Sequence, residues 1–331
     1  MAKELGISTS TVSRALNDHP AIKNETAKAV KLLAKKLNYY PNLLALSLLQ
    51  KKTNTIGVLV PEITSHFFAS IIAAIQDVLS QSGYNIIMCQ SNESYKEEVA
   101  IVENLDRIRV DGLLVSPSSK TKNFNHFYKL QQSGVPIVVF DRDCPGLEVD
   151  KVLVDDYDGA FQAVDYLIKS GCKKIAHLGG PSNLSTTNHR LHGYLDALKK
   201  NNISIKEEYI VHARGFTHAD GIKPAKKLLK LNNPPDAIFA MNDCIAISAM
   251  YVAKNLNFKI PEDISIIGFD DEPHVSYLKP ELSTIWQPVF SIGMLSARIL
   301  LNHLNNPENE IAYRREIFKP ELIIRSSSRK L

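Results

Sequence analysis

Hydrophobic positions in the first forty residues repeat with the spacing of an α-helix. Apolar side chains from Val12 to Leu16 fall three and four positions apart, and a second stripe runs from Ala27 to Leu37. Ser8 precedes the first stretch as a hydroxyl residue suited to capping a helix. Ala2 and Leu5 share one face of a further helical turn. The pattern predicts three short helices, the first two joined by a tight turn, as in a helix-turn-helix.

From Ile56 onward, the pattern changes to short apolar runs separated by longer amphipathic stretches. Continuous apolar strands that alternate with helices are typical of a parallel sheet covered on both faces. About 275 residues of such repeats exceed one ordinary sheet, which predicts an α/β fold of two doubly wound lobes behind a small all-α domain. The predicted strands are Ile56–Val60, Ile86–Cys89, Leu113–Val115, Ile137–Phe140, Ile175–Leu178, Ala237–Ala240 and Ile264–Ile267.

The net charge of +4 hides a strong asymmetry along the chain. Residues 1–52 contain nine Lys or Arg residues and three acidic residues, whereas the remaining 279 residues carry a formal charge of −2. A basic segment of charge +6 on a slightly acidic body predicts a polyanionic partner at one end only. A solvated basic helix is the plainer alternative.

The apolar runs, the first residues and the cysteines indicate the cellular compartment. No apolar run approaches the roughly 20 residues of a membrane helix, and the first residues lack the apolar core of a signal peptide. The four cysteines form no CxxC pair and favour buried thiols in a reducing compartment. A cytoplasmic protein without membrane association, metal or cofactor is therefore predicted.

Short polar side chains and one arginine occupy the exposed face of the predicted helix after Ser8. The N-terminal half of a recognition helix enters the major groove, where such side chains reach bases and phosphates. Arg14 is suited to bidentate hydrogen bonds with guanine. The candidate contacts on this helix are Ser8, Thr9, Ser10, Thr11, Ser13, Arg14 and Asn17.

Three separated motifs carry a resemblance to a known family. The stretch from Gly6 to Asn17, the stretch Ile266–Asp271 and the stretch Pro280–Pro288 occur in the order found in the lactose/galactose repressor (LacI/GalR) family. The chain also resembles that family along nearly its whole length. The resemblance implies a DNA-binding repressor, of the sugar-operon or ribose type, whose two lobes resemble periplasmic binding proteins.

The resemblance also implies a division of the chain and further DNA contacts. Residues 1–42 are expected to form the helix-turn-helix domain, residues 43–55 a hinge helix and linker, and residues 56–331 a two-lobed effector-binding and dimerisation domain. By position, Leu48 is the wedge inserted into the minor groove with Ala45 beside it, and Tyr39 and Asn42 contact DNA. Relative to the family, the chain begins several residues late and is expected to lack the start of the first helix.

Candidate effector-binding residues follow the predicted strands. Because ligands of open parallel sheets lie beyond the carboxyl ends of the strands, the two lobes should bind a small molecule between them. Carboxylates accept the hydroxyl hydrogen bonds of a sugar, and an aromatic face stacks on its ring. From these considerations and the resemblance, the expected contacts are Phe67, Phe68, Asp141, Arg190, Phe239, Asn242, Asp270 and Gln287.

Several functions remain open at this point. The main prediction is a homodimeric repressor that binds double-stranded operator DNA and responds to a sugar or sugar derivative. A global catabolite regulator with a phosphorylated carrier protein as co-effector is the alternative. A solute-binding protein would have no reason to carry the basic segment, and an enzyme would need a nucleophile or cofactor motif that the sequence lacks.

Overall fold

The computed structural model describes residues 1–16, 18–39, 52–306 and 312–331. The chain divides into two compact units, Met1–Thr53 and Asn54–Leu331. The predicted contacts Asn17, Asn42, Ala45 and Leu48 lie outside the described residues, as does most of the predicted hinge helix. The three-part division of the sequence therefore stays a prediction.

The first unit contains two described helices, α1 (Thr9–Leu16) and α2 (Asn24–Lys36). Val12 and Ala15 of α1 are buried against Val30 of α2, as the apolar spacing predicts. The prediction of an earlier helix around Ala2 and Leu5 is wrong. Residues 2–6 form hydrogen-bonded turns instead, because so short an apolar stretch offers too few bonds to propagate a helix.

The first lobe is built on a six-stranded parallel sheet covered by helices. Its strands are β1 (Thr55–Val60), β2 (Asn85–Gln90), β3 (Gly112–Val115), β4 (Ile137–Phe140), β5 (Asp150–Val154) and β11 (Arg315–Phe318), and its helices are α3 (His66–Gln81), α4 (Tyr95–Arg107), α5 (Asn125–Gln132) and α10 (Val289–Asn305). The strand order is β11-β5-β4-β3-β1-β2. Helices α3 and α10 pack on each other.

The second lobe is built on a four-stranded parallel sheet with an antiparallel pair of strands beside it. Its strands are β6 (Ile175–Gly179), β7 (Ile210–His212), β8 (Ala237–Ala240), β9 (Ser265–Ile267), β10 (Thr284–Trp286) and β12 (Glu321–Ile323), and its helices are α6 (Asp156–Lys169), α7 (Ser185–Lys200), α8 (His218–Leu229) and α9 (Asp243–Asn255). The order in the parallel sheet is β7-β6-β8-β9, and the antiparallel pair is β10 with β12.

The chain passes between the two lobes at three points. It leaves the first sheet between β5 and α6, returns between β10 and α10, and crosses again between β11 and β12. Asp156 and Gln287 therefore lie at crossing points, where side chains can reach into the space between the lobes. The α/β fold with two lobes is confirmed.

Candidate functional site

A cleft of about 990 Å³ separates the two lobes and is lined by both of them. Its walls come from segments that follow strand ends and begin helices, the positions where parallel sheets bind ligands. Seven of the eight predicted contacts line it: Phe67, Phe68, Asp141, Arg190, Asn242, Asp270 and Gln287. That these residues contact an effector remains a prediction.

Phe239 is the exception among the predicted contacts. It is the third residue of β8 and is fully buried in the core of the second lobe. Its ring stacks on His177, with ring centroids 5.3 Å apart. A side chain inside a strand projects perpendicular to the sheet rather than beyond its end, so Phe239 has no exposed surface with which to contact an effector.

An aromatic pair forms one wall of the cleft at the start of α3. Ser65 caps this helix, its Oγ accepting the N–H of Phe68, and Glu62 accepts two N–H groups of the preceding turn, those of Thr64 and Ser65. The rings of Phe67 and Phe68 meet edge to face at 5.1 Å. Both are largely buried, so the pair packs against the lobe while its edge borders the cleft.

An ion pair, largely buried, lies in the part of the first lobe that lines the cleft. Arg142 donates to both carboxylate oxygens of Glu93, at 2.8 and 3.0 Å, and to the carbonyl of Pro117. Burial alone would raise the pKa of Glu93, but the charge and hydrogen bonds of Arg142 outweigh it and lower that pKa. The guanidinium also lies 6.0 Å from the ring of Phe68 and 5.2 Å from that of Phe216, which belongs to the second lobe. Arg142 therefore bridges the two lobes at the cleft.

Arg190 forms a second buried ion pair, at a crossing point. Its Nε and Nη2 both lie 2.7 Å from Oδ1 of Asp156, and Nη1 donates to the carbonyl of Met241. The guanidinium carbon is 3.5 Å from the centroid of the Phe269 ring. With three sets of contacts, the guanidinium is held in a fixed orientation at the cleft wall.

Two partly buried carboxyl groups follow strand ends on opposite sides of the cleft. Asp141 and Asp270 have positive φ angles of 65° and 113°, backbone conformations uncommon for residues other than glycine. Asp141 accepts a hydrogen bond from Ser116 at 3.0 Å, and Asp270 accepts one from Gln287 at 2.7 Å. Burial raises the pKa of Asp141 to about 6 and that of Asp270 well above its usual range, despite the opposing charges of Arg142 and Arg190 respectively.

Asn242 combines a structural role with its position in the cleft. Its Oδ1 accepts the N–H of Ile245 as the cap of α9, and its Nδ2 donates to the carbonyl of Phe216. The same amide thus fixes a helix start and the loop that carries Phe216. Both polar atoms are engaged, so an effector would have to share them.

Asp243, directly after this cap, is fully buried and holds the loop after β9. Thr284 Oγ1 donates to one carboxylate oxygen at 2.6 Å, and the N–H of Glu272 donates to the other at 2.9 Å. Burial nevertheless raises the pKa of Asp243 to about 7. A carboxyl group with a raised pKa in the folded state contributes stability at low pH, which is lost as the pH rises through about 7.

We expect Asp243→Asn to remove this pH dependence, since the amide stays neutral. Between pH 4 and pH 8 the variant should gain stability relative to the wild type, by on the order of 2–4 kcal/mol at the upper end. Thermal denaturation across that range measures it, with the exposed Asp77→Asn as a control for loss of one charge. If the difference in stability between the variant and the wild type does not vary with pH, the raised pKa of Asp243 is contradicted.

Several residues at the cleft were not predicted from the sequence. Arg142 directly follows Asp141 at a predicted strand end, so its position could have been noticed. Glu93 and Asp156 gave no signal, because their importance depends on arginines 49 and 34 positions away. Lys120, Arg214 and Phe216 also line the cleft, from loops without a sequence motif.

The predicted DNA-contacting residues lie on the exposed face of α1. Thr9, Ser10, Ser13 and Arg14 are exposed, while Thr11 is half-buried. Ser8 accepts the N–H of Thr11 at 3.0 Å and therefore caps the helix. Tyr39, after α2, is also exposed. The opposite face of α1 is buried, so this polar face is the one available to DNA.

Among residues 1–16, 18–39, 52–306 and 312–331, no cluster of three or more His, Cys, Asp or Glu residues has the arrangement of a metal site. None of the helices found there has the length and apolar character needed to cross a bilayer.

Comparison with known proteins places these features in a family. Residues 1–42 match the family model for bacterial regulatory proteins of the lacI family, and residues 164–328 match a periplasmic binding protein-like domain. The Probable HTH-type transcriptional repressor ExuR of Bacillus subtilis (strain 168) is 36% identical over the whole of this chain and 98% of its own length. The chain belongs to the LacI family of bacterial regulatory proteins. It is a DNA-binding transcriptional repressor and not an enzyme.

Solved structures of LacI-type regulators share this fold. A transcriptional regulator CelR–cellobiose complex is 26% identical, with a TM-score of 0.76 over 99% of this chain and 98% of that one. A LacI family regulator from Enterococcus faecium with bound ribose is 30% identical, with a TM-score of 0.74 over 84% of this chain and 99% of that one. This LacI-family chain is therefore similar to proteins whose structures contain a sugar.

Proposed function

We propose that the chain represses transcription as a homodimer on operator DNA in the cytoplasm, and that a sugar or sugar derivative in the interlobe cleft controls this binding. The observation that carries the proposal is the cleft itself. Asp141 and Asp270 present hydroxyl-binding groups from opposite lobes, and the edge of the Phe67–Phe68 pair offers an apolar surface. Similar proteins with bound cellobiose and ribose support a sugar of this size.

The proposed control depends on the relative position of the lobes. A ligand shifts a conformational equilibrium only by binding one state better than the other. Asp270 contacts Gln287 at a crossing point, and Arg190 pairs with Asp156 at another. An effector that engages these groups would favour one lobe arrangement and so change the geometry of residues 43–55, the proposed hinge and linker.

The proposal is tested with the full chain and an operator selected from random duplexes by the wild-type protein. Fluorescence anisotropy should show release of that operator by at least one member of a panel of monosaccharides, disaccharides and their derivatives. The absence of any change in operator affinity across the panel would refute control by a sugar. Tighter operator binding on addition of a phosphorylated carrier protein alone would favour the catabolite-regulator alternative.

A further inference from the structure

Some of the charged side chains that line the cleft have a hydrogen-bond or ion-pair partner in the protein, and others have none. Six of them are acids and four are bases. The acids are Glu62, Glu93, Asp141, Asp220, Asp270 and Glu272, and the bases are Lys120, Arg142, Arg190 and Arg214. If all ten side chains were free to contact a ligand, the excess of acids would repel an anion from the cleft.

Every one of these acids already has a protein partner. Glu62 accepts four hydrogen bonds from Thr64 and Ser65, and Asp220 accepts two from Thr217, within a capping box. The partners of the other four are Arg142 for Glu93, Ser116 for Asp141, Gln287 for Asp270 and, at 4.0 Å, His274 for Glu272. Five of the six acids therefore accept hydrogen bonds that hold the cleft segments in place, whereas Glu272 has only the contact with His274 at the distance limit of an ion pair.

The four bases divide into two kinds. Arg142 and Arg190 are buried and are engaged by Glu93 and Asp156. Lys120 and Arg214 are exposed, and within the described residues neither side chain has a hydrogen-bond or ion-pair partner. Within the described part of the chain, the charged side chains of the cleft that lack a partner are therefore two cations, Lys120 and Arg214.

These two cations come from opposite lobes. Lys120 lies in the loop after β3 of the first lobe, close to Ser119, whose N–H donates to Glu93. Arg214 follows β7 of the second lobe, where the N–H of Ala213 donates to the carbonyl of Gly179. Their supporting backbone is anchored on each side, although their long side chains can move toward a ligand.

We propose that the effector carries an anionic group, a carboxylate or a phosphate, and that Lys120 and Arg214 bind it from the two lobes. This inference rests on the proposed control by a sugar derivative and specifies its chemical class. An arginine fork matches either anion in a bidentate manner, and a lysine adds a point charge. Binding one group from both lobes would favour their closure, which is the change that the proposed control requires.

Asp270 is compatible with an anionic group elsewhere in the cleft. Burial raises the pKa of this carboxyl well above its usual range, which favours its uncharged form. In that form it donates a hydrogen bond to a ring hydroxyl, while the anionic group lies at the cations.

The test compares pairs of sugars in which one member is neutral and the other carries an anionic group on the same carbon skeleton. D-galactose with D-galacturonate probes a carboxylate, and D-ribose with D-ribose 5-phosphate probes a phosphate, within a wider panel of neutral sugars and their acid and phosphate derivatives. Calorimetric titration of the full chain should give at least tenfold tighter binding of one anionic member than of its neutral partner. Raising the salt concentration from 50 to 500 mM should weaken that binding, because exposed ion pairs are screened.

Substitutions of Lys120 and Arg214 test whether these two side chains bind the anionic group. Arg214→Gln and Lys120→Gln should each weaken binding of the anionic sugar about tenfold and change binding of its neutral partner less than twofold. The exposed residues Arg298 and Lys96, which do not line the cleft, provide the matched controls Arg298→Gln and Lys96→Gln. These should leave both affinities unchanged.

The outcomes separate this inference from the function on which it rests. Release of the operator by neutral sugars that bind as tightly as their anionic partners would overturn the anionic class and leave sugar control intact. Equal losses for charged and neutral partners in Arg214→Gln and Lys120→Gln, or no loss at all, would also overturn it. If neither neutral nor anionic sugars bind or release the operator, both proposals fail.

Discussion

Arg14→Ala should reduce affinity for the selected operator by about 10- to 100-fold and affinity for a scrambled duplex by less than about threefold. Arg14 is exposed on α1, whose opposite face is buried through Val12 and Ala15. A bidentate arginine–guanine contact contributes about 1–3 kcal/mol of discrimination, and its loss removes sequence specificity rather than general attraction to phosphates. Fluorescence anisotropy with duplexes of equal length at one fixed salt concentration measures both affinities.

The exposed Lys36, at the end of α2, provides the matched control. Lys36→Ala removes a positive charge from the same unit, so it should weaken both duplexes by one modest factor and lower the salt slope by about one. If Arg14→Ala instead weakens both duplexes equally, Arg14 is a phosphate contact and does not read a base.

The sequence predicts the strands that are continuous apolar runs and misses those that are not. Predicted runs such as Ile56–Val60 and Ala237–Ala240 coincide with β1 and β8 to within one residue. Strand β5 begins with Asp150 and Lys151, whose charges interrupt the apolar pattern. Asp150 is nevertheless buried, where it accepts from His303 and from the N–H of Arg314. Such partners are far away in the sequence, so local periodicity cannot reveal the strand.

The same distinction applies to the cleft. Asp141 and Asp270 were predictable, because the carboxyl ends of parallel strands must meet at one edge of each sheet. The pairing of Arg190 with Asp156 was not, since Asp156 follows the missed strand β5. Phe239 was expected at the cleft although it lies within the predicted strand Ala237–Ala240. A fully apolar strand does not show from its sequence which face each side chain occupies, and this ring packs into the core of the second lobe.

Asp270→Ala should weaken effector binding by about 100-fold or more while leaving operator affinity without effector within about threefold of the wild type. The carboxyl group is partly buried, accepts a hydrogen bond from Gln287 at 2.7 Å, and lines the cleft from a strand end. Its removal leaves the Gln287 amide and the effector hydroxyl groups without a partner, and each unpaired buried polar group costs about 1–3 kcal/mol. Calorimetric titration and operator release with the effector found in the sugar panel measure the two quantities.

The adjacent Asp271 separates the effect of the side chain from that of the backbone. It also has a positive φ, of 54°, but its carboxylate pairs with Arg325 at 2.7 Å and does not line the cleft. Asp271→Ala therefore disturbs the same strained segment without removing a cleft group. If both variants lose the effector response to the same extent, the loss comes from the loop conformation. A loss confined to Asp270→Ala identifies that carboxyl as an effector contact, because both substitutions remove an aspartate at positive φ from the same segment and only Asp270 lines the cleft.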